Sequence, residues 1–307
     1  MKIIAVLTSG RRDGYTSQLL AAAIDGIERE SDVTVEYVHT HEFQFGPCRS
    51  CFQCIRSQTH HCVQDDDFGR NGKGEIVRRL SSANGLIIAD PVHNWSPSAS
   101  ARLFIERCYP FIWSGKLRGM PSASISCASN QGMQLGAMRE LCKWLFGLRT
   151  RYVGALAAHV TFFDAALQHA TALGEELAKA ASTDAQQGRA KWTDEECFVY
   201  YVENAPWDPL EPYIENLTLG TMLPAKCLMR QALREGRFTD PAAREHVELA
   251  AEEFQRTMTL YHVGERAEAA RSLVKTSAHW TRATWQQFLE PEVIGVPQPP
   301  EYRPIPE

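Results

Sequence analysis

The first half of the chain alternates short apolar runs with amphipathic stretches. Lys2–Leu7 is a continuous apolar run of strand length, and Thr16–Arg29 carries Leu19, Leu20, Ala23, Ile24 and Ile27 at helical spacing. Val33–Val38 is β-branched and alternating, and Gly85–Ala89 holds Leu86, Ile87 and Ile88. Ser98–Phe111 reads as a helix, Ser122–Cys127 as a strand, Met133–Phe146 as a helix and Tyr152–Leu156 as a final strand. Strands that are apolar on both faces and separated by helices predict an α/β domain with a doubly wound, five-stranded parallel sheet. Ligands of such sheets lie beyond the carboxyl ends of the strands, here the turns after Leu7, Ala89 and Cys127.

After residue 160 the pattern becomes helical. Phe163–Ala181 is alanine-rich, Ser182–Arg189 reads as a polar linker, and the aromatic, β-branched run Phe198–Val202 reads as a strand. Three prolines in Asn204–Pro212 exclude a regular helix there. Asp240-Pro241 is a capped helix start, followed by Val247, Ala250, Phe254 and Tyr261; Gly264 breaks the run, and Leu273, Val274, Trp280 and Phe288 continue it as the second arm of a helical hairpin. The proline-rich tail Pro291–Glu307 reads as extended. The expected division is an α/β domain over 1–160 with an inserted cysteine loop over 43–67, then a mostly helical extension over 161–307 serving as a substrate cap or oligomerisation region.

Composition narrows the classes. The chain has 307 residues, 44% of them hydrophobic and 22% charged, which suits a globular fold and excludes disorder of the whole chain. A formal net charge of -5 without a basic run argues against nucleic acid, and the apolar runs are too short to span a membrane. The N-terminal apolar run leads into Thr8-Ser9-Gly10-Arg11-Arg12 rather than a cleavage site, so a buried strand and a cytoplasmic protein are expected.

The turn Thr8-Ser9-Gly10-Arg11-Arg12-Asp13-Gly14-Tyr15-Thr16-Ser17 follows a strand and opens a helix. Hydroxyl side chains, glycines and an arginine beside a helix N-terminus suit a phosphate, although an ordinary capped turn accounts for the same residues. In context, the sequence resembles the NADPH-dependent FMN reductase and flavodoxin-like superfamily, whose first turn runs Gly-Ser-Pro-Arg-x-x-Gly-Asn-Thr. This chain keeps Ser9, Arg11, Gly14 and Thr16 and departs at Thr8, Gly10 and Tyr15. The resemblance covers about residues 1–160 and continues through Asp90-Pro91-Val92-His93-Asn94-Trp95-Ser96, the helix from Ser98 to Glu106-Arg107, Leu117–Pro121 and Ala128-Ser129-Asn130-Gln131-Gly132. It implies a flavodoxin-like fold that binds FMN. Ser9, Arg11, Gly14, Tyr15, Thr16 and Ser17 would hold the phosphate. Pro91, Val92, His93, Asn94, Trp95, Ser96, Ala128, Ser129, Asn130 and Gly132 would border the ring. His93 and Trp95 stand in for the family's flanking aromatic, and His93 is the candidate proton donor to an acceptor.

Cys48, Cys51, Cys54 and Cys62 form a C-x2-C-x2-C-x7-C run, whereas the other five of the nine cysteines are scattered. The paired x2 spacings resemble the start of a ferredoxin run. The run is too compact for paired zinc knuckles, and a Cys51–Cys54 redox pair would leave two thiols unused. Zinc, redox thiols and free cysteines remain alternatives. The iron–sulfur flavoprotein branch of the superfamily carries a compact cysteine motif after its second strand that binds a 4Fe-4S cluster, commonly followed by an acidic pair; Asp65-Asp66-Asp67 matches here. That resemblance implies Cys48, Cys51, Cys54 and Cys62 as cluster ligands; His60 and His61, which lie beside Cys62 in a polar loop, read as solvated, with ligation the alternative.

Other features read more plainly. Gly69-Arg-Asn-Gly72-Lys73-Gly74 lacks phosphate-loop spacing and reads as a flexible turn before the helix Glu75–Leu80; Glu106-Arg107 reads as a surface pair; His262 and His279 read as structural. The expected function is an FMN-dependent oxidoreductase, NAD(P)H-linked, passing electrons to a small, aromatic or quinone-like acceptor. The alternative is an iron–sulfur electron carrier whose extra helices dock a ferredoxin-like partner, and a weaker one is a structural dimer with a relict flavin fold. The family resemblance implies a homo-oligomer.

Overall fold

The computed structural model describes residues 1–306 apart from 31 and 190, and divides the chain into two compact units, Met1–Lys191 and a second beginning at Trp192. The first unit runs β1 (Lys2–Leu7), α1 (Tyr15–Ile27), β2 (Thr34–His39), α2 (Gln53–Arg56), α3 (Glu75–Ser81), β3 (Gly85–His93), β4 (Ser96–Pro97), α4 (Ala99–Arg107), α5 (Tyr109–Ser114), β5 (Pro121–Ala128), α6 (Gln134–Gly147), β6 (Arg151–His159) and α7 (Phe163–Gln187). Among the described residues the parallel strands lie in the order β2–β1–β3–β5–β6, and β4 folds back antiparallel on β3. Without that short hairpin the order is the flavodoxin-like one, whose crevice opens where the order reverses, between β1 and β3.

Ile3–Leu7 and Leu86–Ala89 are fully buried, as expected for strands covered on both faces. Leu19, Leu20, Ala23 and Ile27 of α1 share one core with Leu173, Leu177, Ala178 and Ala181 of α7 and with Ile3, Ala5, Ile87 and Ile125 of the sheet. This shared core moves the domain boundary from the expected 160 to 191, because α7 covers the sheet. Nor is 182–189 a linker: α7 continues to Gln187, and the first breaker is Gly188 at φ 86°. The single helix expected over Ser98–Phe111 divides at Cys108, because Pro110 has no N–H to continue the ladder.

The second unit holds α8 (Asp194–Asn204), α9 (Glu211–Leu217), α10 (Leu228–Arg234), α11 (Pro241–His262) and α12 (Arg266–Thr284). The strand expected over Phe198–Val202 is part of α8. A capping box starts that helix: the Thr193 hydroxyl accepts the Glu196 N–H at 3.1 Å, and Glu196 Oε2 accepts the Thr193 N–H at 2.8 Å. The expected hairpin is present, with Asp240 capping α11 and Gly264 at φ 85° ending it. Thr257 and Ser272 hydroxyls meet at 3.0 Å inside the hairpin. The tail departs from an extended chain at its start, where Trp285–Ile294 forms π-helical turns that accommodate Pro291. Its last residue, Glu307, lies outside the described residues. Among those described, no helix is long and apolar enough to cross a membrane.

Candidate functional site

The turn after β1 opens directly into α1. Thr8, Ser9, Thr16 and Ser17 are buried, Arg11 and Tyr15 are exposed, and Gly14 is the helix N-cap. The Ser9 hydroxyl accepts the Arg11 N–H at 3.2 Å, and the Ser17 hydroxyl donates to the Arg11 carbonyl at 2.7 Å, so both serines shape the turn. The N-cap is a glycine, with no side chain to cap α1, and the first turn of the helix carries no acidic residue. The helix N–H groups and the positive end of its dipole face the turn, an arrangement suited to a phosphate.

Asp90, within β3, joins this turn to the next. Its carboxylate is fully buried and accepts hydrogen bonds from the Thr8 hydroxyl, the Ser98 N–H at 2.9 Å and the Ser98 hydroxyl. Burial pushes the carboxyl upward, against the opposing pull of Ser98, Thr8 and the charge of His93. Ser98 in turn caps α4 by accepting the Ala101 N–H at 3.2 Å.

Beyond Asp90, Val92 pairs with Pro97 and His93 with Ser96, leaving Asn94 and Trp95 as a two-residue hairpin turn. Both central residues have positive φ, 48° and 66°, as a type I′ turn requires. Asparagine accepts this conformation readily; for tryptophan it is strained. His93, Asn94, Trp95 and Ser96 are exposed, and Pro91 and Val92 are half-buried. The Trp95 indole donates to Gln131 Oε1 at 3.3 Å, bringing the hairpin to the turn after β5. In that turn Ala128 is buried, Ser129 and Asn130 are exposed, and Asn130, Gly132 and Met133 all have positive φ. His159, at the end of β6, contacts the Asn130 carbonyl at 3.3 Å, and Tyr15 meets Phe163 edge-on at 4.9 Å. The strand-end turns singled out by the sequence thus adjoin at one edge of the sheet.

The cysteine loop forms a second locus in the same unit. Cys48, Cys51, Cys54 and Cys62 line one cavity of about 580 Å³, with Ile105, Tyr109 and Ile112 contributing an apolar wall. All four are free thiols, and Cys51 is exposed. Burial pushes the Cys54 thiol up to about 12, with Cys48, Cys62 and Cys51 adding to the rise. Four cysteine sulfurs lining one cavity are a soft donor set, which fits a thiolate-ligated metal group. Among the described residues no three His, Cys, Asp or Glu side chains are gathered closely enough to hold a metal ion. His60 instead contacts the Cys54 carbonyl at 3.2 Å, and His61 lies against Gly72.

Two expectations change here. Glu106 and Arg107 are not a surface pair: Arg107 is 2% exposed and forks onto Asp66, and Glu106 accepts the Cys48 N–H at 2.7 Å. The glycine-rich stretch 69–74 is a tight turn rather than a flexible one. A Cβ on Gly69 would lie 2.0 Å from the Gln64 carbonyl oxygen, and the Gly69 carbonyl accepts the N–H groups of both Gly72 and Gly74. His279 packs against a second histidine, its Nδ1 lying 3.1 Å from that of His246. The sequence reading gave no role to Thr8 and Asp90, although an aspartate closing the run Leu-Ile-Ile-Ala signals a buried charge in need of donors.

A family model described as NADPH-dependent FMN reductase matches residues 1–164. The chain belongs to that family. An iron-sulfur flavoprotein of Archaeoglobus fulgidus is 31% identical over 125 residues, 41% of this chain and 53% of the relative. An iron-sulfur flavoprotein of Methanocaldococcus jannaschii is 25% identical over 142 residues, 46% of this chain and 69% of the relative. The chain spans about half the length of the Archaeoglobus relative. Among solved structures, an NAD(P)H:quinone oxidoreductase from Methanothermobacter marburgensis superposes with a TM-score of 0.46 at 14% identity, over 58% of this chain and 96% of that one. Family membership accords with the strand order and with the turns that adjoin at the sheet edge.

Proposed function

We propose that the protein is an FMN-dependent oxidoreductase that takes electrons from NAD(P)H, holds a 4Fe-4S cluster on its cysteine loop and reduces a small organic acceptor. The observation that carries this reading is the meeting of the turns after β1, β3 and β5 around an α1 N-terminus whose N-cap is a glycine. Ser9, Arg11, Thr16 and Ser17, with the Tyr15 N–H, would hold the FMN phosphate; Pro91–Ser96 and Ala128–Gly132 would border the ring. Bound there, FMN supplies a carrier able to exchange electrons singly or in pairs. Asp90 fixes the phosphate turn relative to the hairpin, Trp95 shields one side of the ring site, and His93, exposed at the hairpin, donates a proton to the reduced acceptor. Cys48, Cys51, Cys54 and Cys62 would ligate the cluster, in keeping with the names of the two relatives. The helices from Trp192 onward are assigned as a substrate cap or oligomerisation region.

The second reading, an electron carrier serving a ferredoxin-like partner, is favoured by exposed Cys51, which brings the edge of the thiol set to solvent. Anaerobic purification followed by an absorption spectrum and flavin, iron and sulfide analysis tests both cofactors. Steady-state NAD(P)H oxidation with quinones separates the functions. Turnover with a small acceptor supports the enzyme, and turnover only with an added redox protein supports the carrier. A colourless protein that takes up no FMN would overturn both.

A further inference from the structure

The last turn of α4 meets the cysteine loop with two consecutive charged side chains. Glu106 Oε1 accepts the backbone N–H of Cys48 at 2.7 Å. The Arg107 guanidinium donates through one nitrogen to the Gly46 carbonyl at 2.7 Å and Asp66 Oδ2 at 2.7 Å. Through the other it donates to Asp66 Oδ1 at 2.9 Å and to Cys62 Sγ at 3.4 Å. One helical turn therefore grips the first cysteine by its backbone and the last by its sulfur. Gly46 and Asp66, which flank the loop on either side, are held by the same guanidinium.

Cys62 needs such a grip. It is separated from Cys54 by seven residues, including Gln58 and His60 at positive φ, and nothing in the spacing places its sulfur with the others. An arginine engaged bidentately by a carboxylate is fixed in its plane and retains an N–H for a third acceptor; the lysine ammonium, a point charge on a flexible stem, lacks that geometry. The ring of Phe68, 5.4 Å from the guanidinium carbon, supports the plane. For the Asp66 ion pair alone the sulfur contact is superfluous, and it is the contact that ties the pair to the thiol set.

The geometry points to Glu106 and Arg107 as positioning residues that present Cys48 and Cys62 as the outer ligands of the cysteine centre, with the Arg107 N–H tuning its reduction potential. This rests on the loop holding an iron–sulfur cluster. Hydrogen bonds to cluster sulfurs and local positive charge stabilise the reduced, more negative state, so losing them lowers the potential.

The test is anaerobic reconstitution of the full chain with ferrous iron and sulfide, using wild type, Arg107→Lys, Arg107→Ala, Cys62→Ser and the Arg107→Ala/Cys62→Ser double variant. Bound FMN and far-UV circular dichroism report folding. Iron content, the electron paramagnetic resonance of the reduced protein and a dye-mediated redox titration report the centre. Arg107→Ala and Cys62→Ser should lose the same share of iron, about one in four, and the double variant should lose no more than Cys62→Ser alone. Arg107→Lys, which keeps the charge but cannot hold Asp66 and Cys62 together, should load less iron than wild type, and the centre it forms should titrate at a more negative potential. If wild type takes up no iron, the cluster itself is refuted and this role falls with it. If wild type loads fully while Arg107→Ala and Arg107→Lys match it in iron and potential, or if the two losses add in the double variant, the positioning role is refuted and the cluster stands.

Discussion

Gly26 of α1 and Gly174 of α7 sit reciprocally against each other's helix. A Cβ on Gly26 would lie 2.0 Å from the Thr171 carbonyl oxygen, and one on Gly174 would lie 2.0 Å from that of Ala23. Alanine gains up to about 1 kcal/mol of helix propensity over glycine. Here that gain loses to overpacking, because the obstructing atoms are backbone and cannot rotate away. Gly174→Ala should destabilise by about 3 kcal/mol, lowering the melting temperature by roughly 6–12 °C. A thermal melt within a degree of wild type would show that the crossing is looser than described.

Asp90 links stability to the phosphate turn. Asp90→Ala leaves the Ser98 N–H without its acceptor and removes one of the Thr8 hydroxyl's two acceptors, leaving Thr8 bonded to the Ala89 carbonyl. A loss of about 1–3 kcal/mol follows, together with weaker FMN binding by fluorescence titration. Because burial raises this carboxyl, its contribution is full below the ordinary carboxylate range and declines as pH rises through its folded-state pKa. Asp90→Asn should lack that decline, so the difference in urea midpoint between it and wild type should change between acid and neutral pH.

The ion pair at Asp66 is the opposite case. Burial resists ionisation there, but the hydrogen bond and charge of Arg107, aided by the Phe68 and Gly69 N–H groups, outweigh it and hold Asp66 below its usual range. Its contribution is present above the ordinary carboxylate range and is lost as pH falls through the lowered value. Asp66→Ala strands the buried guanidinium and should cost about 3 kcal/mol at neutral pH, read from urea denaturation, with a smaller cost in acid.

In the helical hairpin, His246 and His279 bring their Nδ1 atoms to 3.1 Å. Both are held below the ordinary histidine value of 6.5, first by burial. Arg282 adds to this at His246, and His246 and Lys275 add at His279; Glu245 and Glu253 respectively oppose it. A lowered histidine contributes stability above its unfolded value and loses it as pH falls through the folded one. The melting temperature of wild type should therefore drop on going from pH 7 to pH 5 by more than that of His279→Leu. Equal drops would dissociate the pair from acid sensitivity.

The parallel sheet was legible because each strand is a short apolar run, and Ile3–Leu7 and Leu86–Ala89 are buried as their composition implies. The strand assigned to Phe198–Val202 misread aromatic and β-branched residues that a helix also buries; Thr193 and Glu196, three apart, were the helix signal that local propensity masked. The turns at Ser9–Ser17, Pro91–Ser96 and Ala128–Gly132 were legible because they follow strands. Their coupling through Asp90 and Trp95 was not, since it depends on contacts between residues far apart in the chain. Arg107 was hidden for a related reason: on a helix, a neighbouring Glu-Arg reads as solvent-facing until a loop from elsewhere covers it.

Helix α4 is tied at its start, through Ser98, to the carboxylate that anchors the phosphate turn, and at its end, through Glu106 and Arg107, to both extremes of the cysteine loop. Nine residues of helix make a strut about 14 Å long. The interval between the two loci is thus set by a stiff rod and not by the winding of the loop. Residues inserted near Gln58 would lengthen the excursion while leaving that interval unchanged, and a glycine within α4 would disturb it without touching either locus.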